Sequence, residues 1–394
     1  MFIEQAHPFM RLIVQSFQES EQRLIEKQIK RYSNVGYTTV ADLGVFPYIR
    51  NWKKLTEEFI TGDDSPIRMF VMEMANDLER GVTIDFAGDS RRLQAGGAKF
   101  WYDGSFPTGN VFLEKPFLNS SLMQDKLRIP PDTCGNSVMQ KDTLKVQVLK
   151  YHDQGRQVAI HTHGDRGIRD VLDVYEEVLT ASPREDHRHR IEHCGLFPID
   201  EMERAARLGI TPSWHIKYIY YYGQALRDEI IGPDRAGVFM PMAAAYKAGI
   251  RSSLHNDSPM FPADPIKLMQ TAVTRKTRGG EIIGKDQAIS ISEAIKAVTI
   301  DAAYQLFLDD KVGSLETGKL ADLVVLSENP EKMDPNRLHE IEITPTLQKI
   351  WPKNAKARSI SGLYILYSRH QETFDRFQEF TVCFIRRILI RFIT

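Results

Sequence analysis

Short apolar runs alternate with amphipathic stretches over most of the region between residues 142 and 307. Runs of three to five mainly apolar residues predict buried strands, and a helix-like recurrence of apolar residues separates them. In the clearest helix, at 168–179, Ile168, Val171, Leu172 and Tyr175 share one face. Repeated strand–helix units predict a parallel sheet covered by helices. The strands are predicted at 158–160, 188–191, 210–214 and 250–254.

The remaining elements follow from the same patterns. Two helix starts carry capping signals: Asp264 precedes Pro265, and Ser290 stands three residues before Glu293 in a helix predicted to reach Phe307. Residues 106–137 are rich in Pro, Gly, Asn and Asp and predict a long loop, which in compact domains is often a functional lid. Further helices are predicted at 11–32, 52–61, 144–154, 199–208 and 241–248, and further strands at 37–43, 67–72 and 99–102.

The chain is expected to divide into three parts. Residues 1–310 form the main α/β unit, 311–350 a small β unit that begins with a turn-rich, β-rich run, and 351–394 an atypical tail. The tail is apolar at 381–394 but contains three arginines, so we expect either an interfacial helix or a poorly ordered segment.

Composition excludes several classes of protein. The 394 residues are 42% hydrophobic and 26% charged, with a net charge of −1, which gives no electrostatic reason to expect a nucleic acid or acidic membrane partner. Three scattered cysteines exclude a disulfide framework. The N-terminus lacks the pattern of a secretory signal, and no run of about 18 apolar residues predicts a membrane span. We therefore expect a cytoplasmic protein.

Potential metal ligands stand where predicted strands end. His161 and His193 each follow an apolar run, Asp257 follows a third, and Lys99 opens a fourth predicted strand. Zinc binds imidazole nitrogen and carboxylate oxygen, and a catalytic site keeps one position open for water that can attack a carbonyl carbon. The ligands can meet at one metal only if their strands are neighbours in a barrel.

Six motifs in residues 30–326 resemble the amidohydrolase superfamily, specifically amidohydrolase family 3, the branch that is similar to N-substituted formamide deformylase. No single motif is specific, but their order along the chain matches the family. They are GYTTVAD at 36–42, KFWYDGS at 99–105, HTHGD at 161–165, RIEH at 190–193, NDSP at 256–259 and GSLETGKLADLVVL at 313–326.

The resemblance implies a TIM-type (β/α)8 barrel with a small β-sandwich, one or two divalent metals, usually zinc, and hydrolysis of non-peptide carbon–nitrogen bonds in a small amide-like substrate. By this resemblance Lys99 becomes carboxylated and ligates metal, His161 and His193 are further ligands, and Asp257 is a ligand that also acts as general base and then general acid. The alternative for Lys99 is an ordinary lysine paired with Asp103 or another acid.

One family feature is missing. The first barrel strand of the family ends in His-x-His, but only His7 lies upstream of Gly36. We therefore expect an incomplete barrel without its first strand and a remnant of the β-sandwich, with exposed edges that favour a homo-oligomer. Either the chain is a catalytically incompetent fragment, or it is a divergent enzyme that holds one metal through Lys99, His161 and His193. A phosphate-binding barrel without metal is a weaker alternative, since no Gly-rich phosphate loop is present.

Other polar residues have more than one interpretation. His163 is an alternative ligand or a substrate contact, and His215 and His255 are candidate substrate contacts. His187 and His189 flank the start of a strand, the wrong end for a site, and are predicted to be structural or exposed. A turn at Asp103 is a candidate substrate contact, and Asp165 is predicted to cap a helix. Arg275 is predicted to be a packing or surface charge. The Tyr-rich segment 214–239 is either an apolar pocket wall or a packed lid helix.

Overall fold

Seven parallel strands form one sheet, in the order in which they occur along the chain. The computed structural model describes residues 21–45, 52–62, 65–86 and 91–344. Parallel neighbours require crossover connections, and at least one helix lies between each pair of consecutive strands of this sheet, which confirms the predicted α/β class. The strands are β1 (Thr39–Val45), β2 (Arg68–Met74), β3 (Leu93–Trp101), β4 (Val158–Thr162), β5 (Arg190–His193), β6 (Thr211–Trp214) and β7 (Ser253–Leu254).

Helices connect the strands and cover the sheet. The predicted loop at 106–137 contains only two short helical turns, Phe106–Thr108 and Leu122–Lys126. The helices are α1 (Glu21–Asn34), α2 (Trp52–Thr61), α3 (Ala75–Glu79), α4 (Lys141–Asp153), α5 (Asp165–Ala181), α6 (Met202–Arg207), α7 (Lys217–Ala225), α8 (Pro233–Gly237), α9 (Met242–Lys247), α10 (Pro265–Thr274), α11 (Ile291–Ala297) and α12 (Ile300–Gln305). None of them is both long and apolar enough to cross a bilayer.

Helix α5 shows why the apolar periodicity predicts this arrangement. Its stripe of Ile168, Val171, Leu172 and Tyr175 is completely buried in the main core. The Tyr175 hydroxyl also donates to the carbonyl of Arg190 at 2.8 Å. Burying a stripe of this kind against a sheet is the main source of helix stability in globular proteins.

The two predicted helix starts are present, but one predicted helix is divided. Asp264 accepts a hydrogen bond from the Lys267 amide at 2.9 Å, and Ser290 and Glu293 form a reciprocal capping box. The helix predicted from Ser290 to Phe307 is interrupted, since α11 ends at Ala297 and α12 begins at Ile300. Thr299 interrupts it with a non-helical backbone at φ −128° and ψ −96°.

The two edges of the sheet lie near each other. The side-chain amide of Asn256, which follows β7, donates to the hydroxyl of Tyr37, which precedes β1, at 2.7 Å. A sheet whose first and last strands come this close is curved in the manner of a barrel. In the part of the chain that the structure describes, β1 and β7 each pair with one neighbour, and the incompleteness of the barrel remains a prediction.

A small antiparallel pair follows the main sheet. Strands β8 (Val325–Leu326) and β9 (Ile343–Thr344) pair with each other, and an Arg68–Asp322 ion pair attaches this region to β2. The predicted domain boundaries and the β-sandwich remnant remain predictions. The predicted tail at 351–394 and the first half of the helix predicted at 11–32 lie outside the described residues.

Candidate metal centre

The predicted ligands and several further histidines lie at the carboxyl ends of neighbouring strands. Lys99 lies on β3, His161 on β4 and His193 at the last position of β5. His215 directly follows β6, and His255 and Asp257 follow β7. In parallel barrels this is the end of the sheet where side chains from different strands meet, so the placement agrees with the barrel argument.

His161 and His193 lie side by side. Their ring centroids are 4.1 Å apart. His161 Nε2 lies 3.2 Å from the Gly104 carbonyl, which can only accept, so Nε2 carries the proton and Nδ1 has a free lone pair. Burial, and next the nearby Lys99 charge, lower the pKa of His161 to about 3. The imidazole is therefore neutral near pH 7, as a metal ligand must be.

Three buried histidines bring ligand atoms together. One ring nitrogen each from His163, His193 and His215 lies within 4.8 Å of the other two. Among the described residues, His163 Nδ1 is buried without any hydrogen-bond partner. Burying a polar atom without a hydrogen-bond partner costs free energy. A bound metal ion would give this nitrogen the partner that no protein side chain provides.

The protonation of His215 also points to a cation. Its Nε2 lies 3.2 Å from the backbone carbonyl of Asn256, so that nitrogen donates and Nδ1 has the lone pair. Nδ1 lies 3.3 Å from His193 Nδ1. Two imidazole nitrogens on a tetrahedral zinc, each at roughly 2.05 Å, are separated by about 3.3 Å. The donor set and spacing therefore fit a divalent metal.

Lys99 is buried next to this group. Burial lowers the pKa of its amine to about 8, while the negative charges of Glu192 and then Asp257 oppose that shift. A larger neutral fraction makes the amine more nucleophilic at physiological pH. The predicted partner Asp103 is not available to it, because the Asp103 carboxylate accepts from the backbone amides of His163 and Gly164, each at 2.8 Å.

Asp103 positions the loop around His163. Its carboxylate also accepts from the Phe112 amide at 3.1 Å, and its side chain is almost completely buried. Burial raises its pKa to about 7, although the three backbone donors lower it. These bonds occupy the carboxylate and hold the backbone of His163 and Gly164, and the substrate contact expected at this turn remains a prediction.

Two acidic side chains approach across the edges of the sheet. Asp257 is exposed and adopts a left-handed backbone with φ 55°. Asp42 on β1 has a pKa raised to about 6, first by burial and then by the charge of Asp257. Sequence spacing assigns Asp42 no role beyond its place in a motif, because only the curvature of the sheet brings it near Asp257.

The set that the geometry brings together differs from the set predicted. His193 belongs to both, while His163 and His215 join it through distances that sequence spacing does not contain. The position of His163 two residues after His161, on the same strand face, was the signal that could have identified it. The roles predicted for Lys99, His161, His193 and Asp257 remain predictions.

The remaining polar residues are structural. His187 and His189 form hydrogen bonds at the opposite end of the sheet, as predicted. Asp165 accepts from the Arg166 amide at the start of α5 and from the Glu114 amide, but the N-cap position is Gly164, so the cap predicted at Asp165 is wrong. Arg275 is fully buried rather than on the surface, and its guanidinium donates to the carbonyls of Phe239, Met240 and Ile283.

An aromatic wall adjoins the histidines. The ring of Tyr218 on α7 lies 5.1 Å from that of His163 and 4.8 Å from that of His215. Phe261 lies 5.2 Å from His215 and stacks on Tyr221 at 4.5 Å. One side of the candidate centre is therefore apolar and aromatic, which agrees with the pocket-wall interpretation of 214–239.

Comparison with known proteins agrees with this geometry. A family model described as "Amidohydrolase family" matches residues 1–349. The chain is 30% identical to Protein LONG AFTER FAR-RED 3 of Arabidopsis thaliana over 311 residues, covering 75% of this chain and 51% of that protein. It is 26% identical to N-substituted formamide deformylase of Arthrobacter pascens, covering 82% of this chain and 58% of that protein.

A solved structure has the same fold. The crystal structure of an uncharacterized metal-dependent hydrolase from Pyrococcus horikoshii OT3 superposes with a TM-score of 0.65 and 26% identity, covering 80% of this chain and 61% of that one. The chain spans only about half of the length of the two curated relatives, the Arabidopsis protein and the deformylase.

Proposed function

The chain belongs to the amidohydrolase family, and from that membership we propose that it is a metal-dependent hydrolase of non-peptide, amide-like carbon–nitrogen bonds. The observation that carries the proposal is the convergence of buried, neutral imidazoles, two of which have lone pairs fixed by backbone carbonyls. When bound, a divalent cation such as zinc supplies Lewis acidity toward water and toward a carbonyl oxygen.

The side chains of the protein provide the metal ligands and the group that transfers protons. His163, His193 and His215 provide neutral nitrogen ligands, and His161 and Lys99 add ligands beside them. Asp257, which is exposed, takes a proton from the attacking water and later donates it to the departing nitrogen. The charge of Asp257 adds to burial in raising the pKa of half-buried Asp42, so Asp42 retains its proton more readily than an ordinary aspartate.

The aromatic wall indicates the substrate class. An apolar or aromatic substituent on the nitrogen or acyl side of the bond would contact this wall at Tyr221, which is exposed and stacks on buried Phe261. An N-formyl or N-acyl derivative of an aromatic amine therefore suits this surface better than a charged substrate.

Metal content and activity test the proposal together. The purified chain should contain about one to two equivalents of zinc by elemental analysis and hydrolyse N-formyl or N-acyl aromatic amines. A chelator should abolish the hydrolysis, and added zinc should restore it. His193→Ala should reduce kcat/KM by at least about 100-fold, since it removes a central ligand.

The matched control is His187→Ala, which removes a buried histidine at the other end of the sheet. This variant should retain zinc and turnover where it folds. A folded wild-type chain that binds no metal would refute the proposal. Metal binding without turnover of any such amide would instead favour the catalytically incompetent alternative.

A further inference from the structure

A continuous series of hydrogen bonds runs beside β6 and β7 and ends at His255. It begins at Gln305 in α12, whose side-chain nitrogen lies 2.7 Å from both the Pro212 carbonyl and the Thr211 hydroxyl oxygen. Ser253 Oγ lies 2.6 Å from Gln305 Oε1 and 3.0 Å from Ser213 Oγ. Gln305, Ser253 and Ser213 are all almost completely buried.

The first bonds of the series fix its direction. A backbone carbonyl only accepts, so the Gln305 atom next to Pro212 must be the NH2 group. The Thr211 hydroxyl gives its own proton to the Arg251 carbonyl at 2.6 Å, so it too accepts from Gln305. Both amide protons of Gln305 are then used, and its Oε1 is left to accept the proton of Ser253.

The direction propagates to the imidazole. Because Ser253 gives its only proton to Gln305, its oxygen accepts from Ser213. Ser213 then has no proton left for His255 Nδ1, which lies 2.8 Å away, so Nδ1–H donates to Ser213. A neutral imidazole carries one proton, which leaves the lone pair of His255 on Nε2.

That lone pair points into the candidate centre. His255 Nε2 lies 3.2 Å from His193 Nδ1, which also lies 3.3 Å from the lone pair of His215 Nδ1. A proton on His193 Nδ1 could form a hydrogen bond to His255 Nε2 or to His215 Nδ1, but not to both. Both separations match the roughly 3.3 Å between nitrogens that share a tetrahedral zinc.

We propose that His255 Nε2 is a metal ligand that shares its metal with His193 Nδ1, and that Gln305, Ser253 and Ser213 are positioning residues that hold His255 in the required tautomer. The proposal rests on the proposed metal-dependent function. It makes His255 a ligand, whereas sequence spacing suggested only a substrate contact. It also explains why the polar side chains of Gln305, Ser253 and Ser213 are buried beside β6 and β7.

Metal affinity and ligand geometry test this assignment on the full chain. The metal is removed with a chelator, and zinc affinity is measured by competition with a chromophoric chelator. His255→Ala should raise the zinc Kd by at least 100-fold. Ser213→Ala, which removes the acceptor that fixes the tautomer, should raise it by about 10-fold, as outer partners of ligands typically do.

Cobalt spectra and a control variant separate ligation from structural damage. In the Co²⁺-loaded protein, His255→Ala should shift the visible absorption bands, because a nitrogen ligand is replaced. His187→Ala, also a buried histidine, should change neither the bands nor the zinc Kd. A folded His255→Ala variant with the wild-type Kd and bands overturns the ligand while leaving metal-dependent hydrolysis intact, whereas a wild-type chain without metal affinity overturns both.

Nitrogen NMR of the metal-free wild type tests the tautomer without any variant. With ¹⁵N-labelled histidine, the signals of His255 should show a protonated Nδ1 and an unprotonated Nε2. The reverse pattern would contradict the hydrogen-bond direction and would remove the proposed ligand, even in a chain that binds zinc.

Discussion

The absence of a side chain at Gly195 leaves room for the imidazole of His163. It follows His193 and Cys194, both of which have left-handed backbones, in the turn after β5. A Cβ at residue 195 would lie 2.8 Å from the Phe106 ring, 2.9 Å from His163 Nδ1 and 3.0 Å from the His163 carbonyl oxygen. The nitrogen that it would crowd is the one without a hydrogen-bond partner, so a side chain here acts directly on a candidate ligand.

We therefore expect Gly195→Ala to weaken zinc binding by at least 10-fold and to destabilise the protein by about 1–3 kcal/mol, the usual cost of overpacking. Competition with a chelator and urea unfolding measure the two effects. Gly237→Ala is the matched control, because a Cβ there meets nothing within 4 Å, and its stability should change by less than about 0.5 kcal/mol. Wild-type zinc affinity in a folded Gly195→Ala variant would contradict the placement of His163.

At the scale of single residues, the sequence could predict which strands carry candidate ligands but not which nitrogen each candidate offers. His161 and His193 were predictable because each ends a buried apolar run. The proton positions of His161 and His215 depend on the carbonyls of Gly104 and Asn256, which approach from loops that are distant in sequence. Spacing along a strand contains no information about such contacts.

A network of neutral histidines joins the elements at the opposite end of the sheet. His189 Nδ1 accepts from the Val158 amide at 3.0 Å, so its Nε2–H donates to His152 Nδ1 on α4 at 2.9 Å. His187 Nδ1 accepts from the His189 amide at 2.9 Å, and its Nε2–H donates to the Leu208 carbonyl. Each ring nitrogen of His187 and His189 is therefore fixed as a hydrogen-bond donor or acceptor. A second proton on either ring would convert an acceptor into a donor and break a hydrogen bond that it now accepts.

Stability should therefore fall in mild acid. Burial lowers the pKa of His187 from 6.5 to about 4. The unfolded chain then binds more protons than the folded chain below pH 6.5, so the stability from this residue is complete above pH 6.5 and is lost as the pH falls toward 4. The loss attributable to His187 is at most about 3 kcal/mol.

Urea unfolding of the chelator-treated protein between pH 7 and pH 4 measures this effect. His187→Asn should be less stable than the wild type at pH 7, and its free energy of unfolding should depend less steeply on pH. Parallel pH profiles for the two proteins would show that His187 does not contribute to the acid sensitivity.

Elements were predictable where one periodicity dominates. Helix α5 and strand β4 lie where the sequence pattern places them, because each buries one continuous apolar surface. The division between α11 and α12 was missed, because the apolar periodicity continues across it while Thr299 adopts a non-helical backbone. A break of this kind is decided by packing that the pattern does not describe.

At the scale of the whole molecule, the order of the strands was predictable and the approach of the two edges of the sheet was not. Strand order follows from the repeated strand–helix units. The approach depends on the bond between the Asn256 side chain and the Tyr37 hydroxyl, which joins residues 219 positions apart. The same Asn256 accepts from His215 through its backbone carbonyl, so this bond connects the curvature of the sheet to the candidate centre.

Tyr37→Phe tests that connection. It removes the acceptor of the Asn256 side-chain amide, whose Oδ1 already lacks a partner in the described part of the chain, and should destabilise the protein by about 1–2 kcal/mol. Amide hydrogen exchange should increase in β1 and around residue 256, and zinc affinity should fall several-fold because His215 loses a fixed support. Tyr221→Phe, which keeps its stacking on Phe261, should change none of these properties. If Tyr37→Phe left exchange in β1 unchanged, the edges would be held by other contacts, and the curvature of the sheet would not depend on this bond.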